Sequence, residues 1–252
     1  MINWGVNKFQ RCRKGDLSGR CRVDSPVALF EPVMLFNADR AQVFKVGSKI
    51  TSAVAAGVFV KCYFYKNFLS RFRHLFRTSR PKRCIACALL LRDAGVQTPA
   101  PWGYIRESGL VMPVRDYLVT DLLPTETVFM PELICKDPEN AVAKIVSSVV
   151  KLHNCGIEHG DLSLRNIYLA PDGSAGFIDL DGSRLYRKPL NFQGRTREMA
   201  RLVSSAAKIN SRISVEQFKA MFLNDYRALC GIDLASEFLD RRINHLCNRR
   251  RA

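Results

Sequence analysis

The sequence has no apolar run approaching the roughly 20 residues that a transmembrane helix needs. Its first residues, Met1 to Arg13, also lack the continuous apolar core of a secretory signal peptide. Internal repeats and low-complexity linkers are absent as well. We therefore expect a cytoplasmic protein in which any membrane contact is peripheral.

A disulfide framework is missing too. The 9 cysteines are scattered without regular spacing, and their odd number indicates a reducing compartment. Cys84 and Cys87 form the only close pair, and no second pair lies at the spacing of a zinc site. Because the pair falls in a helical pattern, we favour helix packing over the alternative, metal binding.

Acidic residues are scarce. The chain of 252 residues has 23 Asp and Glu against 39 Lys and Arg, a net charge of +16. This excess predicts an anionic partner such as a nucleotide, a nucleic acid or an acidic membrane surface; the alternative is a merely solvated basic face. Nucleic acid is disfavoured, because the sequence has neither an array of stacking aromatic residues nor zinc-ligand spacing.

One stretch carries chemistry. Residues His159 to Asn166 read His-x-Asp-x-x-x-x-Asn, and two short apolar segments around a Pro-Asp-Gly turn then lead to Asp179. Phosphoryl transfer needs oxygen ligands for a metal ion and a carboxylate near the attacking hydroxyl. Asp161, Asn166 and Asp179 are residues of the required types. The alternative is that they are ordinary turn-forming residues, but three of them in register with apolar strands favour a site.

The first half of the chain predicts a small antiparallel sheet. Two segments between Val27 and Tyr65 are rich in β-branched and aromatic residues, Val43–Val46 and Val58–Tyr63. A helix from Pro81 to Ala94 follows, then a strand over residues 102–106 and a second strand pair over residues 110–123. Between sheet and helix, residues 67–83 are strongly basic, and their apolar members at helical spacing predict a buried stripe: Phe68, Phe72, Leu75 and Phe76.

The second half predicts helices. A long helix begins at Asp137-Pro138 and ends near Cys155, and His153 in its last turn is interpreted as a cation at a helix C-terminus. Three further helices are expected over residues 196–209, 214–229 and 234–248. Ser214 and Gln217 have the spacing of a capping box.

Taken together, these features resemble the protein-kinase-like fold and, within it, the bacterial lipopolysaccharide core kinases, the Kdo/heptose kinase family. The resemblance covers roughly residues 40–210 and implies an α+β, bilobed fold. A small antiparallel sheet with one main helix would form the N-lobe over residues 27–123, and a mainly helical C-lobe would span residues 124–252. Residues 1–26 are left as an arm or a loosely packed first strand.

The resemblance also implies an activity: transfer of phosphate from ATP, with Mg²⁺, to a sugar hydroxyl of the lipopolysaccharide inner core. The implied partners are ATP, an anionic glycolipid or sugar acceptor, and the cytoplasmic face of the inner membrane. Asp161 would be the catalytic base, and Asn166 and Asp179 the metal ligands. The resemblance also implies Lys61 as the phosphate anchor, His159 as part of the catalytic motif, and a hinge facing adenine over Thr120, Asp121, Leu122 and Leu123. Two further expectations are our own: Arg165 would neutralise the transferring phosphoryl group, and the Gly47 backbone would approach phosphate, although the loop around it has one glycine instead of three.

Several alternatives stay open. Lys61 also fits a surface lysine on an edge strand, and Arg165 also fits a salt bridge to a nearby carboxylate. Gly160 stands where many protein kinases have Arg, and no Ala-Pro-Glu follows Asp179, which favours a glycan or small-molecule acceptor over a protein. Cys84 lies near the position where kinases have the glutamate that pairs with the lysine. A nucleotide-binding pseudokinase scaffold is therefore an alternative to an active kinase.

Overall fold

The computed structural model describes residues 32–38, 41–46, 58–65, 72, 78–108, 113–124, 126–209 and 213–248. They form two compact units. The first contains the described residues up to Leu89 together with Pro99–Leu123, and the second contains Leu90–Thr98 and the described residues from Pro124 onward. The predicted arm over residues 1–26 lies outside the described residues, as does Gly47.

An antiparallel sheet of five strands forms the body of the first unit, in the order β1-β2-β3-β5-β4. The two segments predicted from β-branched residues are confirmed as β2 and β3. The strand pair predicted over residues 110–123 is wrong for the described residues, where β5 is a single strand whose hairpin partner is β4. The strands are β1 Pro32–Ala38, β2 Ala41–Val46, β3 Val58–Phe64, β4 Pro101–Ser108 and β5 Pro113–Asp121.

A buried ion pair joins β4 to β5. Asp116 is fully buried and accepts hydrogen bonds from Arg106 at 2.7 and 2.9 Å and from the Tyr65 hydroxyl. Burial and the adjacent carboxylate raise the pKa of Tyr65, and the hydrogen bonds to Asp116 raise the pKa of Arg106. Both donors therefore keep their protons, and the Asp116 charge is compensated inside the sheet.

Helix α1, Arg80–Asp93, ends before Gly95, which has a positive φ of 69°. Cys84 and Cys87 are both buried, and burial raises the pKa of Cys87 to about 11. The burial of both side chains agrees with the predicted helix packing. The prediction of a buried stripe is wrong for Phe72, which is 47% exposed; Phe68, Leu75 and Phe76 lie outside the described residues.

The second unit is mainly helical, and α2 was not predicted from the sequence. Asp137 caps α3 by accepting from the Asn140 amide at 3.3 Å, and the predicted capping box of Ser214 and Gln217 is confirmed. Within the described ranges, no helix combines the length and apolarity needed to cross a membrane. The helices are α2 Met130–Lys136, α3 Pro138–Asn154, α4 Phe192–Ala206, α5 Val215–Cys230 and α6 Glu237–Asn248.

Two helix starts differ from the sequence prediction. Helix α4 begins earlier than expected because the Asn191 side chain accepts from the Gly194 amide at 2.9 Å and caps the helix. Helix α6 begins later than expected, and there the Ser236 hydroxyl accepts from the Leu239 amide at 3.2 Å. In both cases a short polar side chain decides the boundary.

Short strands complete the second unit. β6 (Val128–Phe129), β8 (Ile167–Leu169) and β9 (Ala175–Phe177) form one small sheet, and β7 (Ile157–Glu158) pairs with β10 (Arg184–Leu185). Helix α3 supports the β8–β9 hairpin: the Lys144 ammonium donates to the Gly173 carbonyl at 2.6 Å, and the Ser148 hydroxyl donates to the Ala175 carbonyl at 2.7 Å. The hairpin that leads to Asp179 is therefore attached to the longest helix of the unit.

His153 is not the helix-terminal cation that its position predicted. Its ring is fully buried, and burial, reinforced by the nearby Arg195 charge, lowers its pKa to about 3. Arg195 donates to the Tyr226 hydroxyl at 2.6 Å, and the same hydroxyl is hydrogen-bonded to His153 Nδ1 at 2.9 Å. The prediction was wrong because a sequence position at a helix end does not reveal which elements cover it.

The neutral state of His153 predicts a pH dependence of stability. Its pKa is lowered from 6.5 to about 3 on folding, so the native state binds fewer protons between these values. The contribution of neutral His153 to the free energy of unfolding is fully present above pH 6.5. It is lost as the pH falls towards 3, with a slope of up to about 1.4 kcal/mol per pH unit. His153→Gln should flatten the pH dependence of urea unfolding in that window; an unchanged slope would assign the acid sensitivity to other groups.

Candidate active site

Buried leucines hold the loop that carries Asp161. Leu162 and Leu164 are fully buried, and the Leu164 amide donates to the buried hydroxyl of Ser205 on α4 at 3.0 Å. At Leu164 the chain enters a short 3₁₀ helix, Leu164–Asn166. Asp161 is exposed. The loop backbone is thus attached to the core while the Asp161 carboxylate remains accessible to a reactant.

Asn166 is oriented by Asp161. Its side-chain amide nitrogen donates to the Asp161 carbonyl oxygen at 2.9 Å and to the carboxylate oxygen Oδ2 at 3.3 Å. Because the nitrogen is committed to the loop, the amide oxygen is the atom of Asn166 suited to a cation. These hydrogen bonds therefore hold the Asp161 and Asn166 side chains next to each other.

The same loop holds the backbone that leads to Asp179. In the β8–β9 ladder Ile167 pairs with Phe177, and one step further the Ile178 amide donates to the Asn166 carbonyl at 3.0 Å. On its other side, the Ile178 carbonyl accepts from His159 Nε2 at 3.0 Å. Ile178 is thus held from two directions, which brings the start of the Asp179 turn to the loop.

Asp179 has an unusual backbone conformation. Its φ of 59° and ψ of 52° are left-handed, and among the described residues it is the one non-glycine residue with a positive φ. Such a conformation costs roughly 1 kcal/mol or more and persists only where the surroundings impose it, often at functional sites. The Asp179 side chain is exposed, and the residue before it is Ile178, whose backbone is fixed by the two hydrogen bonds described above.

Gly160 allows two backbone segments to meet. It has a φ of 84°, and a Cβ atom at this position would lie 2.8 Å from the carbonyl carbon of Gly182 and closer still to its oxygen. The Ser183 hydroxyl, just beyond, donates to the His159 carbonyl at 3.3 Å. Glycine is therefore required sterically at this position, where many protein kinases have Arg. A side chain here would force the loop and the Asp179 turn apart.

Glu198 of α4 binds the backbone of this loop, a role that was not predicted from the sequence. Its buried carboxylate accepts from the His159 amide at 2.7 Å and the Gly160 amide at 3.2 Å, and it pairs with Arg201 at 2.8 Å. Burial raises the pKa of Glu198 in spite of these contacts. The available signal was a carboxylate on the apolar face of a predicted helix, which must find partners in the core.

Replacing Glu198 by Gln should loosen the loop. The amide keeps one acceptor oxygen but loses the charge facing Arg201 and half of the acceptor capacity for the two amides. We expect a loss of about 1–3 kcal/mol in the free energy of unfolding, together with faster amide exchange at His159 and Gly160. Urea unfolding and hydrogen exchange measure both. Glu237→Gln on exposed α6 is the control, and equal effects of the two variants would contradict a special role for Glu198.

The remaining predicted residues are placed as follows. The His159 ring is fully buried against Phe177, which suits a positioning role rather than contact with a reactant. Arg165 is exposed, and within the described part of the chain no carboxylate lies at ion-pair distance from it. Lys61 is half-buried on β3, with its ammonium 5.8 Å from the centre of the Tyr63 ring.

The predicted hinge residues lie at the end of β5. The Asp121 amide donates to the Ala100 carbonyl at 2.9 Å, and the Asp121 carboxylate accepts from the Trp102 indole at 2.5 Å. The Thr120 hydroxyl donates to the Asp121 carbonyl at 3.1 Å. Thr120 and Asp121 are thus engaged within the first unit, whereas Leu122 and Leu123 follow the strand as half-buried coil. Lys61 and the hinge belong to the first unit, and the loop with Asp179 belongs to the second.

The loop and turn fit a cation that is shared with a substrate. Among the described residues, no three His, Cys, Asp or Glu side chains are grouped closely enough to hold a metal ion by themselves. Mg²⁺, however, is usually bound through one or two protein oxygens together with substrate phosphates and water. The amide oxygen of Asn166 and the carboxylate of Asp179 provide such a pair of hard donors.

Comparison with solved structures identifies the fold. A solved structure described as "WaaP in complex with acyl carrier protein" matches with a TM-score of 0.59 and 18% sequence identity, over 87% of this chain and 90% of that chain. The predicted protein-kinase-like α+β fold is thereby confirmed. No curated protein sequence matches the chain.

A family model covers the second unit's site. The model for the lipopolysaccharide kinase (Kdo/WaaP) family matches residues 88–226, which include the His159–Asn166 loop, the hairpin and Asp179 but not Lys61. The match extends over more than half of the chain, and the resemblance inferred from the motifs is confirmed. The chain therefore belongs to the lipopolysaccharide kinase (Kdo/WaaP) family and is a kinase acting on the lipopolysaccharide core.

Proposed function

We propose that this kinase transfers the γ-phosphoryl group of ATP to a hydroxyl of a Kdo or heptose sugar in the inner core, at the cytoplasmic face of the inner membrane. The observation that carries the proposal is the attachment of the Asp161–Asn166 loop to the turn of Asp179 through Ile178. These backbone contacts support a site in which the accessible Asp161 carboxylate acts together with the oxygen donors of Asn166 and Asp179.

Asp161 is the proposed base. The acceptor hydroxyl donates a hydrogen bond to its carboxylate, and the proton passes to that carboxylate as the hydroxyl oxygen attacks the γ-phosphorus. The bond from phosphorus to the bridging oxygen breaks, and ADP leaves with the electron pair. Asn166, which donates to both the carbonyl and the carboxylate of Asp161, orients the base. Glu198 and His159 position the loop without touching a reactant.

Asn166 and Asp179 are the proposed ligands of Mg²⁺. When bound, the ion neutralises charge on the transferring and leaving phosphates. The left-handed backbone of Asp179 is relevant here, because it directs the chain away from β9 immediately after Ile178. The hydrogen bonds of Ile178 to Asn166 and His159 support this proposal, because a backbone ordered in advance reduces the cost of ordering a site.

Lys61 is the proposed anchor for the α and β phosphates, and Leu122 and Leu123 are the proposed backbone partners of adenine. The engagement of the Asp121 amide with Ala100 supports moving the adenine contact to these two following residues. Thr120 and Asp121 then shape the strand end instead of binding the base themselves. Gly47 stays a candidate phosphate contact.

Arg165 is proposed to stabilise negative charge on the transferring group, as cationic clamps do in phosphoryl transfer. Its exposure, with no described carboxylate in reach, supports this role over the salt-bridge alternative. Arg165→Met should lower kcat about tenfold or more with little change in nucleotide affinity. A matched control is Arg241→Met on α6, whose cation is equally exposed; an unaltered kcat in the Arg165 variant would return the residue to a surface role.

The activity itself is tested with purified protein, γ-labelled ATP, Mg²⁺ and a lipid A–core acceptor. Label should appear in the glycolipid, and the label should be lost when the inner-core sugars are absent from the acceptor. Competition with protein and small-sugar acceptors separates a glycan kinase from other kinases. A thermal shift with ATP but no transfer to any acceptor would instead favour a nucleotide-binding scaffold, the alternative suggested by buried Cys84.

A further inference from the structure

A run of exposed apolar side chains follows directly on the site. Leu185, Tyr186 and Phe192 are 46%, 41% and 45% exposed. They lie within the segment 184–192, which we call the docking segment and which links β10 to the first turn of α4. Large apolar side chains exposed singly are ordinary, but three within nine positions of one segment are an unusual concentration of exposed apolar surface.

The docking segment is also strongly basic. Arg184, Arg187 and Lys188 are exposed and alternate with the apolar side chains. No acidic residue occurs between Asp181 and Glu198. The segment thus combines cations and apolar side chains without an acidic residue of its own, the composition of segments that lie in the interface of an anionic bilayer.

The backbone of the docking segment is held in place. Leu185 pairs with Ile157 in the β7–β10 ladder, and the Tyr186 amide donates to the Gly156 carbonyl at 2.8 Å. Beyond this, the Leu190 amide donates to the His153 carbonyl at 2.9 Å, and the Leu190 side chain is buried. Because these anchors set the backbone, the apolar side chains stay exposed instead of collapsing onto the protein.

Two of the exposed cations, Arg187 and Lys188, have no described carboxylate partner, whereas Arg184 lies opposite Glu158 in the β7–β10 ladder. Glu158, which lies beneath the segment, already accepts from the Tyr186 hydroxyl at 2.8 Å and from Arg197 at 3.3 Å. Burial opposes the ionisation of Glu158, but the hydrogen bonds from Arg197 and Tyr186 outweigh it and lower its pKa. The described ion pairs of Glu158 are with Arg197 and Arg201. Arg187 and Lys188 have no described ion pair and remain available for an external anion.

We propose that the docking segment binds the surface of an anionic bilayer, with Leu185 and Phe192 inserted at headgroup level and Arg184, Arg187 and Lys188 contacting lipid phosphates. The inference rests on the proposed function, in which the acceptor is a glycolipid. β7, which pairs with the segment, runs directly into the His159–Asn166 loop. Docking would therefore hold Asp161 near the level at which a core sugar leaves the membrane.

The test is sedimentation of the full chain with vesicles of phosphatidylcholine, alone or mixed with phosphatidylglycerol, without nucleotide or acceptor. Binding is expected only to the anionic vesicles. Arg187→Gln with Lys188→Gln should lower the partition coefficient roughly 25-fold, since each cation near such a surface contributes about fivefold. Leu185→Ser with Phe192→Ser should lower it about tenfold or more. The matched control is Arg227→Gln with Leu229→Ser at the end of α5. It removes an exposed cation and an apolar side chain that is 58% exposed.

Wild-type binding by both docking-segment variants would overturn the proposal, as would equal losses in the control. A loss in the charge variant without any loss in the apolar variant would contradict the insertion of Leu185 and Phe192 and would reduce the proposal to an electrostatic contact with lipid phosphates. The outcome is independent of catalysis: a protein that binds vesicles through this segment yet transfers no phosphate would contradict the proposed function alone. Transfer to a deacylated, soluble acceptor should be unchanged in both variants.

Discussion

Asp161→Asn should lower the rate of phosphoryl transfer by about 10²–10⁴-fold, the usual contribution of a positioned general base. The amide cannot accept the proton from the acceptor hydroxyl, whereas its size and its contact with Asn166 are preserved. Asp161 is exposed, and its carboxylate has one long bond, at 3.3 Å, to the Asn166 side chain. We therefore expect the melting temperature and ATP affinity to stay near those of the wild type, so that kcat falls and the binding of nucleotide does not.

The control for Asp161 is a carboxylate in the β8–β9 hairpin that follows the loop. Asp172→Asn meets this requirement: it lies in the β8–β9 turn, where Ser174 and Gln97 bind it and lower its pKa, Ser174 contributing most. It should leave kcat unchanged while weakening the turn. If Asp161→Asn and the wild type transferred phosphate equally, Asp161 would not be the base; if Asp172→Asn lost as much activity, the hairpin as a whole and not the base would explain the effect.

Gly160→Ala should destabilise the protein by about 2–5 kcal/mol. Two costs add. A residue with a Cβ disfavours a φ of 84°, and the new atom would lie 2.8 Å from the carbonyl carbon of Gly182 and closer to its oxygen. Since neither partner is a flexible side chain, one backbone segment must move. For a chain of this size the melting temperature should fall by roughly 2–4 °C per kcal/mol. Activity should fall as well, because moving either backbone segment changes the position of Asp161 relative to Asp179.

Gly231→Ala separates the two costs. Gly231 ends α5 with a φ of 70°, and a Cβ atom there would meet nothing within 4 Å. Only the conformational cost remains, about 1 kcal/mol, and activity should be unaffected. The difference between the two alanine variants therefore measures the collision with Gly182. Equal melting temperatures would mean that the loop and the Asp179 turn can separate freely, which would contradict the packing described for Gly160.

The family and the site motif could be predicted because they depend on local chemistry. The spacing from His159 to Asn166 and the apolar segments before Asp179 predicted a loop followed by a hairpin, and the capping residues Ser214 and Asp137 predicted where two helices begin. Such patterns rest on hydrogen bonds between residues close in sequence, so a single segment carries the information. The roles assigned to Asp161, Lys61 and the hinge remain predictions that the experiments above address.

What the sequence could not provide concerns contacts between distant segments. Glu198 is separated from His159 by the hairpin, β10 and the start of α4, so no local pattern indicated that its carboxylate would hold the loop. The same is true of His153, which is neutral because Tyr226 and Arg195 of later helices enclose it. The sequence thus determined the fold class, the loop and the positions of its polar side chains. Only the tertiary structure decided the neutral state of His153 and the support of the loop by Glu198, because burial depends on which elements pack over a residue and not on its neighbours in the chain.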